Sequence, residues 1–155
     1  MTVKILFICH GNICRSPMAE YVMKHLAAQR GISDGLEIAS AATSSEELGN
    51  DVYPPVRRLL VEKGIPCPKR RARRIRPSDA DDYDYLVAMD ERNLRNMRAL
   101  LGAADEGKTF KLMEFAGSDS DVADPWYTRD FERCYEDVVA GCEGLLDRLS
   151  SENPR

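Results

Sequence analysis

Residues 3–17 read Val-Lys-Ile-Leu-Phe-Ile-Cys-His-Gly-Asn-Ile-Cys-Arg-Ser-Pro. Val3 to Ile8 is a near-continuous apolar run, as expected of a strand covered on both faces. His10, Gly11 and Asn12 then carry loop chemistry, and Ser16-Pro17 suits a helix cap and first helical position. In open α/β sheets, ligands bind beyond the carboxyl ends of strands. The first strand ends at Cys9.

The rest of the chain continues the alternation. Met18, Val22, Met23 and Leu26 form a stripe at helical spacing that ends near Gly31. Leu36 to Ser40 predicts a second strand, and Val56, Leu59 and Leu60 a helix closed by Gly64. Tyr85 to Met89 predicts a third strand. Leu94, Met97, Leu100 and Leu101 predict a helix ended by Gly102, and Phe110 to Met113 a fourth strand. A polar loop from Glu114 to Thr128 precedes a last helix. Its apolar residues Phe131, Tyr135, Val138, Cys142, Leu145 and Leu149 are spaced 4, 3, 4, 3, 4. Strands alternating with helices predict an α/β domain over residues 1–150, a four-stranded parallel twisted sheet with helices on both faces. Residues 151–155 are expected to form a tail.

Composition bounds the function. The 155 residues are 43% hydrophobic and 31% charged, and 22 basic against 26 acidic residues give a net charge of −4. That composition fits one folded domain and argues against disorder. No apolar run reaches the roughly 18 residues of a membrane span. The short apolar start has no small-residue cleavage site, so a cytoplasmic location is expected. Five cysteines, an odd number, argue against a disulfide framework. Mild acidity argues against a nucleic-acid partner. The run Lys69 to Arg76, six basic residues in eight, reads as a solvated loop and edge. Two histidines without clustered cysteines predict no metal.

Cys followed by Arg six positions later occurs three times, at Cys9/Arg15, Cys67/Arg73 and Cys142/Arg148. Context separates them. Cys142 lies in the last helix, and Cys67 sits between two prolines. Only Cys9 follows a strand, has Gly two positions on and precedes Ser-Pro. Gly11 can take positive φ, and Asn12 tolerates it better than most residues. Successive amides from His10 through Ile13 and Cys14 to Arg15 then converge into an anion nest. The helix opening at Ser16 adds free N–H groups, and Arg15 offers a bidentate fork for phosphate. This field is expected to keep Cys9 a thiolate, a nucleophile aimed at phosphorus. The His10 side chain is expected to point away while its amide faces the anion. A proton donor must come from elsewhere, and Asp119, Asp121 and Asp124 are candidates. Asp124 is favoured because Pro125 stiffens the turn and Trp126 beside it can exclude water and raise its pKa. Trp126 and Tyr127 are expected to flank the pocket and stack on an aromatic ring.

With these residues quoted, the chain resembles the low-molecular-weight protein tyrosine phosphatases over essentially its whole length. The resemblance rests on Cys9 to Pro17, Ser-Ala-Ala-Thr-Ser at 40–44, Met-Asp-Glu at 89–91 and Asp-Pro-Trp at 124–126. It implies hydrolysis of phosphotyrosine in proteins or peptides, and of small aryl phosphates, through a phosphocysteine intermediate. Inorganic phosphate is the product, and no metal or cofactor is needed. By that likeness Cys9 is the nucleophile, Arg15 the phosphate clamp and Asp124 the general acid. Ser16 bonds the thiolate, and Asn12 braces the loop by bonding Ser40. A reversible Cys9–Cys14 disulfide is also suggested. Relatives commonly carry a histidine near position 70, where this chain has Arg70, so no loop support is expected from that position; they carry an aromatic near position 46, where it has Glu46. A carboxylate there is expected to disfavour acidic peptide flanks and to favour basic ones.

Three alternatives stand beside this reading. Arginine phosphatases on the same scaffold usually have Thr where this chain has Ile13, an apolar pocket wall. Thiol-coupled arsenate reduction needs a further cysteine pair, and residues 78–102 contain no cysteine. A non-catalytic phosphate- or RNA-binding module would use Arg70 to Arg76. A monomer or weak dimer is expected.

Overall fold

The opening apolar run lies inside the sheet, because both of its faces must be covered. In the computed structural model, which describes residues 2–102 and 106–152, β1 is Val3–Cys9 and is followed by α1 at Arg15–Gln29. Then come β2 (Leu36–Ala42), α2 (Pro54–Glu62), α3 (Asp79–Asp82), β3 (Tyr85–Ala88) and α4 (Glu91–Leu100). The chain continues with β4 (Thr109–Lys111), α5 (Pro125–Thr128) and α6 (Phe131–Glu152). The strands are all parallel, in the order β2-β1-β3-β4.

Side-chain alternation on β1 and β3 sorts the core into two layers. Ile5, Phe7 and Val87 face α1 and α6, packing with Met18, Val22, Val138 and Leu145. Leu6, Ile8, Leu86 and Ala88 face α4, packing with Leu94, Met97 and Leu101. The Asp90 carboxylate starts α4, its Oδ1 accepting from the Asn93 amide at 2.7 Å.

Several local expectations are corrected. Leu112 and Met113, expected to continue the fourth strand, begin a 3₁₀ turn over Leu112–Ala116. Their side chains bury against α6, and Gly144 lets the helix approach. A Cβ on Gly144 would sit 1.9 Å from the Phe115 carbonyl oxygen. The polar loop at 114–128 therefore contains part of that turn and all of α5. Helix α3 was not anticipated, because four residues are too few to show periodicity. Ser16 does not cap α1; Cys14 occupies the cap position without a side-chain bond. Of the expected tail, residues 151 and 152 continue α6, and 153–155 lie outside the described residues. Among the described residues, no helix is long and apolar enough to cross a membrane.

The carboxyl ends of β1 and β3 are stitched together. The Met89 amide donates to the Ile8 carbonyl at 3.2 Å, and the Val122 amide to the Met89 carbonyl at 2.9 Å. This brings the chain at Val122, and Asp124 after it, to the end of the sheet where Cys9 lies.

Candidate active site

Cys9 ends β1, and the chain turns through residues 10–14 into α1. Of the two residues suited to positive φ, Asn12 makes the turn, at φ 60°, and Gly11 does not. Asn12 can hold this conformation because its own side chain is bonded within the loop. Gly11 serves a close approach instead, since a Cβ there would lie 3.2 Å from Glu47 Cγ. The Asn12 amide points at Cys9 Sγ at 3.3 Å, and the Ser16 hydroxyl lies 3.0 Å from the same sulfur. Ser16 Oγ in turn accepts from Asn12 Nδ2 at 2.8 Å, so the hydroxyl hydrogen is free to point at sulfur. The sulfur therefore sits between two donors at the N-terminus of a 15-residue helix.

The direct Asn12–Ser40 bond that the resemblance implies does not form. The Arg70 guanidinium stands between them. It donates to the Asn12 carbonyl at 2.5 Å, to Asn12 Oδ1, and to Ser40 Oγ at 3.2 Å. Asn12 Oδ1 also accepts from the Arg73 amide at 3.2 Å. Ser40 passes its hydrogen on to Glu20 Oε1, which is nearly buried. The basic run is thus only partly a solvated edge. Arg70 holds the loop, and Arg73 pairs with Asp79, which has no exposed surface.

Arg15 is 2% exposed and lines the pocket with Cys9. Its Nη1 donates to Asp90 Oδ2 at 2.8 Å and to the Val122 carbonyl at 2.7 Å, and its Nη2 lies 3.4 Å from Asp124 Oδ2. Burial alone would lower its pKa; the negative charges of Cys9, Asp90 and Asp124 more than offset that and raise it. Asp90 was quoted above only as part of Met-Asp-Glu. It aims the guanidinium with one oxygen while capping α4 with the other.

Of the three candidate acids, only Asp124 lines the pocket. It caps α5, its Oδ1 accepting from the Trp126 amide at 3.0 Å. Asp121 is turned to Lys111, whose Nζ donates to Asp121 Oδ1 at 3.0 Å and to the Asp119 carbonyl at 2.6 Å. Trp126 is 45% exposed and packs on Tyr53, ring centroids 4.9 Å apart. It forms a rim wall with Tyr127, which is 80% exposed, rather than a lid over Asp124. Ile13 and Cys14 line the floor side, both buried. Burial first, then the nearby charges of Cys9 and Asp124, push the Cys14 thiol far up. Glu46 and Glu47 also line the pocket, with His10 directed to Glu46 at 2.9 Å. Among the described residues no group of His, Cys, Asp and Glu could hold a metal ion.

The chain as a whole is similar to known proteins. Residues 4–155 match the family described as low molecular weight phosphotyrosine protein phosphatase. The chain is 35% identical to the low molecular weight protein-tyrosine-phosphatase YfkJ of Bacillus subtilis, covering 97% of each chain. It is 38% identical to the phosphatase PtpA of Staphylococcus epidermidis, over 95% of this chain and 94% of that one. The crystal structure of YfkJ superposes with a TM-score of 0.95 over 99% of this chain and 98% of that one. A Drosophila arginine phosphatase, 31% identical, superposes with a TM-score of 0.87 over 97% of this chain and all of that one. The chain belongs to the low molecular weight phosphotyrosine protein phosphatase family.

Proposed function

We propose that this pocket hydrolyses phosphotyrosine, with Cys9 as nucleophile, Arg15 as clamp and Asp124 as proton donor. The single observation that carries the reading is the contact geometry of the sulfur. Cys9 Sγ receives the Asn12 amide and the Ser16 hydroxyl in a pocket that also holds Arg15 and Asp124.

The amides of Gly11, Ile13, Cys14, Arg15 and Ser16 have no acceptor among the described residues. They are the donors a phosphoryl group would receive, reinforced by the helix dipole. Arg15 turns its remaining N–H groups to two phosphoryl oxygens. Sulfur then attacks phosphorus, forming the S–P bond as the P–O bond to tyrosine breaks. Asp124 gives its proton to the departing phenolic oxygen. In the second step a water attacks phosphorus and gives a proton back to Asp124. The S–P bond breaks, releasing inorganic phosphate and restoring the thiolate. Ile13, Trp126 and Tyr127 offer apolar surface to a flat ring, which supports an aryl rather than a guanidino substrate. Cys14, beside the nucleophile, is the partner for a protective disulfide with Cys9 when an oxidant takes the place of substrate.

The test is turnover of phosphotyrosine and phosphoarginine peptides by wild type beside two variants. Cys9→Ser should abolish turnover while retaining phosphate binding. Asp124→Asn should lower turnover by about 10²–10³-fold with phosphotyrosine, the worth of a general acid. Preferred hydrolysis of phosphoarginine, or turnover surviving Cys9→Ser, contradicts the assignment.

A further inference from the structure

The pocket's lining carries two chemistries. Trp126 and Tyr127 give it aromatic surface; Glu46 and Glu47 give it carboxylates. A site that must receive a phosphate dianion has little reason to place two carboxylates at its mouth. The guanidinium in the pocket does not offset them, because Arg15 already faces Asp90 and Asp124.

Both glutamates are held in place. The Glu46 side chain is 69% exposed, and its Oε2 accepts from His10 Nε2 at 2.9 Å. Glu47 lies with its Cγ against Gly11, and its Oε2 accepts from Asn50 Nδ2 at 2.6 Å. Among the described residues, neither has a lysine or arginine within salt-bridge distance. Each keeps carboxylate lone pairs for an incoming partner. Pinned carboxylates lose little side-chain entropy on pairing, which makes them better recognition elements than free ones.

We propose that Glu46 and Glu47 are specificity-determining residues, and that they select phosphotyrosine with a lysine or arginine beside it in the peptide. This deepens the phosphotyrosine reading of the same pocket and rests on it. The aromatic ring lies along the Trp126 side while the neighbouring cation lies on the glutamate side. An acidic neighbour meets two like charges instead.

The experiment measures kcat/KM at about pH 7 and low salt for phosphotyrosine peptides that differ only in Lys, Ala or Glu beside the phosphotyrosine. Wild type, Glu46→Gln, Glu47→Gln and the double variant are compared. A lysine-over-glutamate ratio of about tenfold is expected from two partly exposed charge pairs. It should shrink to below about threefold at ~0.5 M salt, where exposed pairs are screened. The double variant should lose most of the ratio, whatever happens to its turnover of the alanine peptide. A wild-type ratio near one, or a ratio unchanged in the double variant, overturns the proposal while leaving the phosphotyrosine reading intact. Failure to hydrolyse any of the three peptides, with hydrolysis of a phosphoarginine peptide instead, overturns both.

Discussion

Arg70 donates to both the carbonyl and the side-chain oxygen of Asn12, the residue that turns the phosphate loop through a left-handed conformation. A non-glycine residue at positive φ costs on the order of 1 kcal/mol and persists when its surroundings over-determine it. Arg70→Ala removes both bonds and leaves Asn12, which has no exposed surface, short of partners. The expected result is a fall in kcat/KM of about 10–100-fold, with a destabilisation of about 1–3 kcal/mol by urea unfolding. Arg70→Lys should recover only part of the activity, because one ammonium does not reproduce a fork.

Asp90 separates two roles by oxygen. Asparagine is a good N-cap but a poor partner for a buried guanidinium. Asp90→Asn should therefore lower kcat/KM for phosphotyrosine by about tenfold or more with stability held within about 1 kcal/mol. Asp90→Ala should lose the same activity and about 1 kcal/mol more of stability. Equal effects of the two substitutions on both measurements would contradict the division.

Lys111 ties the acid-bearing segment to β4 through the Asp119 carbonyl and the Asp121 carboxylate. Glu91, at the start of α4, donates its amide to the same Asp121 oxygen at 3.1 Å. Lys111→Met should loosen the placement of Asp124 relative to Cys9. Turnover should fall by about threefold to tenfold for aryl phosphates with poor leaving groups, and less for good ones. A uniform loss across leaving groups would show that the tether acts on binding instead.

The part of the site that reads from sequence is the part built by adjacent residues. Cys9, Arg15 and Ser16 are near neighbours in the chain, and a strand that runs into a Gly-containing loop and a Ser-Pro helix start dictates their geometry. Asp124 is legible through Pro125, which fixes the backbone before a short helix. Arg70 is not legible in this way. It lies 58 residues from Asn12, and a guanidinium in a run of six basic residues looks like any solvated cation until the pairing of Arg74 with Ala42, at the end of β2, holds the run beside the loop. Asp90 carried a local signal, an aspartate at the end of a strand before a helix, but that signal announces a cap and not a partner for Arg15. Gly11 and Asn12 both suit positive φ, and adjacent residues do not choose between them. The Asn12 side chain's bonds with Arg70 and Ser16 outweigh glycine's intrinsic freedom. Likewise β4 ends early because Leu112 and Met113 bury better against α6 than along the sheet edge.

Gly144 is a packing contact without chemistry. A methyl group there would collide with backbone at Phe115, which no rotamer change relieves. Gly144→Ala should destabilise by about 1–3 kcal/mol despite alanine's higher helix propensity. Thermal unfolding of the variant measures it, and a stabilised variant would show that α6 does not press on the 112–116 turn.

Three buried thiols set an alkaline limit. Burial pushes Cys14 and Cys142 far up and Cys134 up to about 12. In the unfolded chain these thiols ionise near pH ~8.5. Between that value and about 12 for Cys134 the folded state binds more protons than the unfolded state. Stability is therefore fully present below pH ~8.5 and falls as pH rises, by at most about 1.4 kcal/mol per pH unit per thiol. Cys134→Ala should flatten the slope of unfolding free energy against pH between about 9 and 11. An unchanged slope would show that this thiol ionises in the folded protein.

Covalent catalysis at Cys9 is tested most directly by rapid denaturing quench during turnover of a phosphotyrosine peptide, followed by mass spectrometry of the peptide that carries Cys9. A phosphoryl group on Cys9 that forms and decays at the rate of turnover, and is absent from Cys9→Ser, is the predicted result. Sustained hydrolysis with unmodified Cys9 at every time point, or phosphoryl carried by another residue, would contradict it.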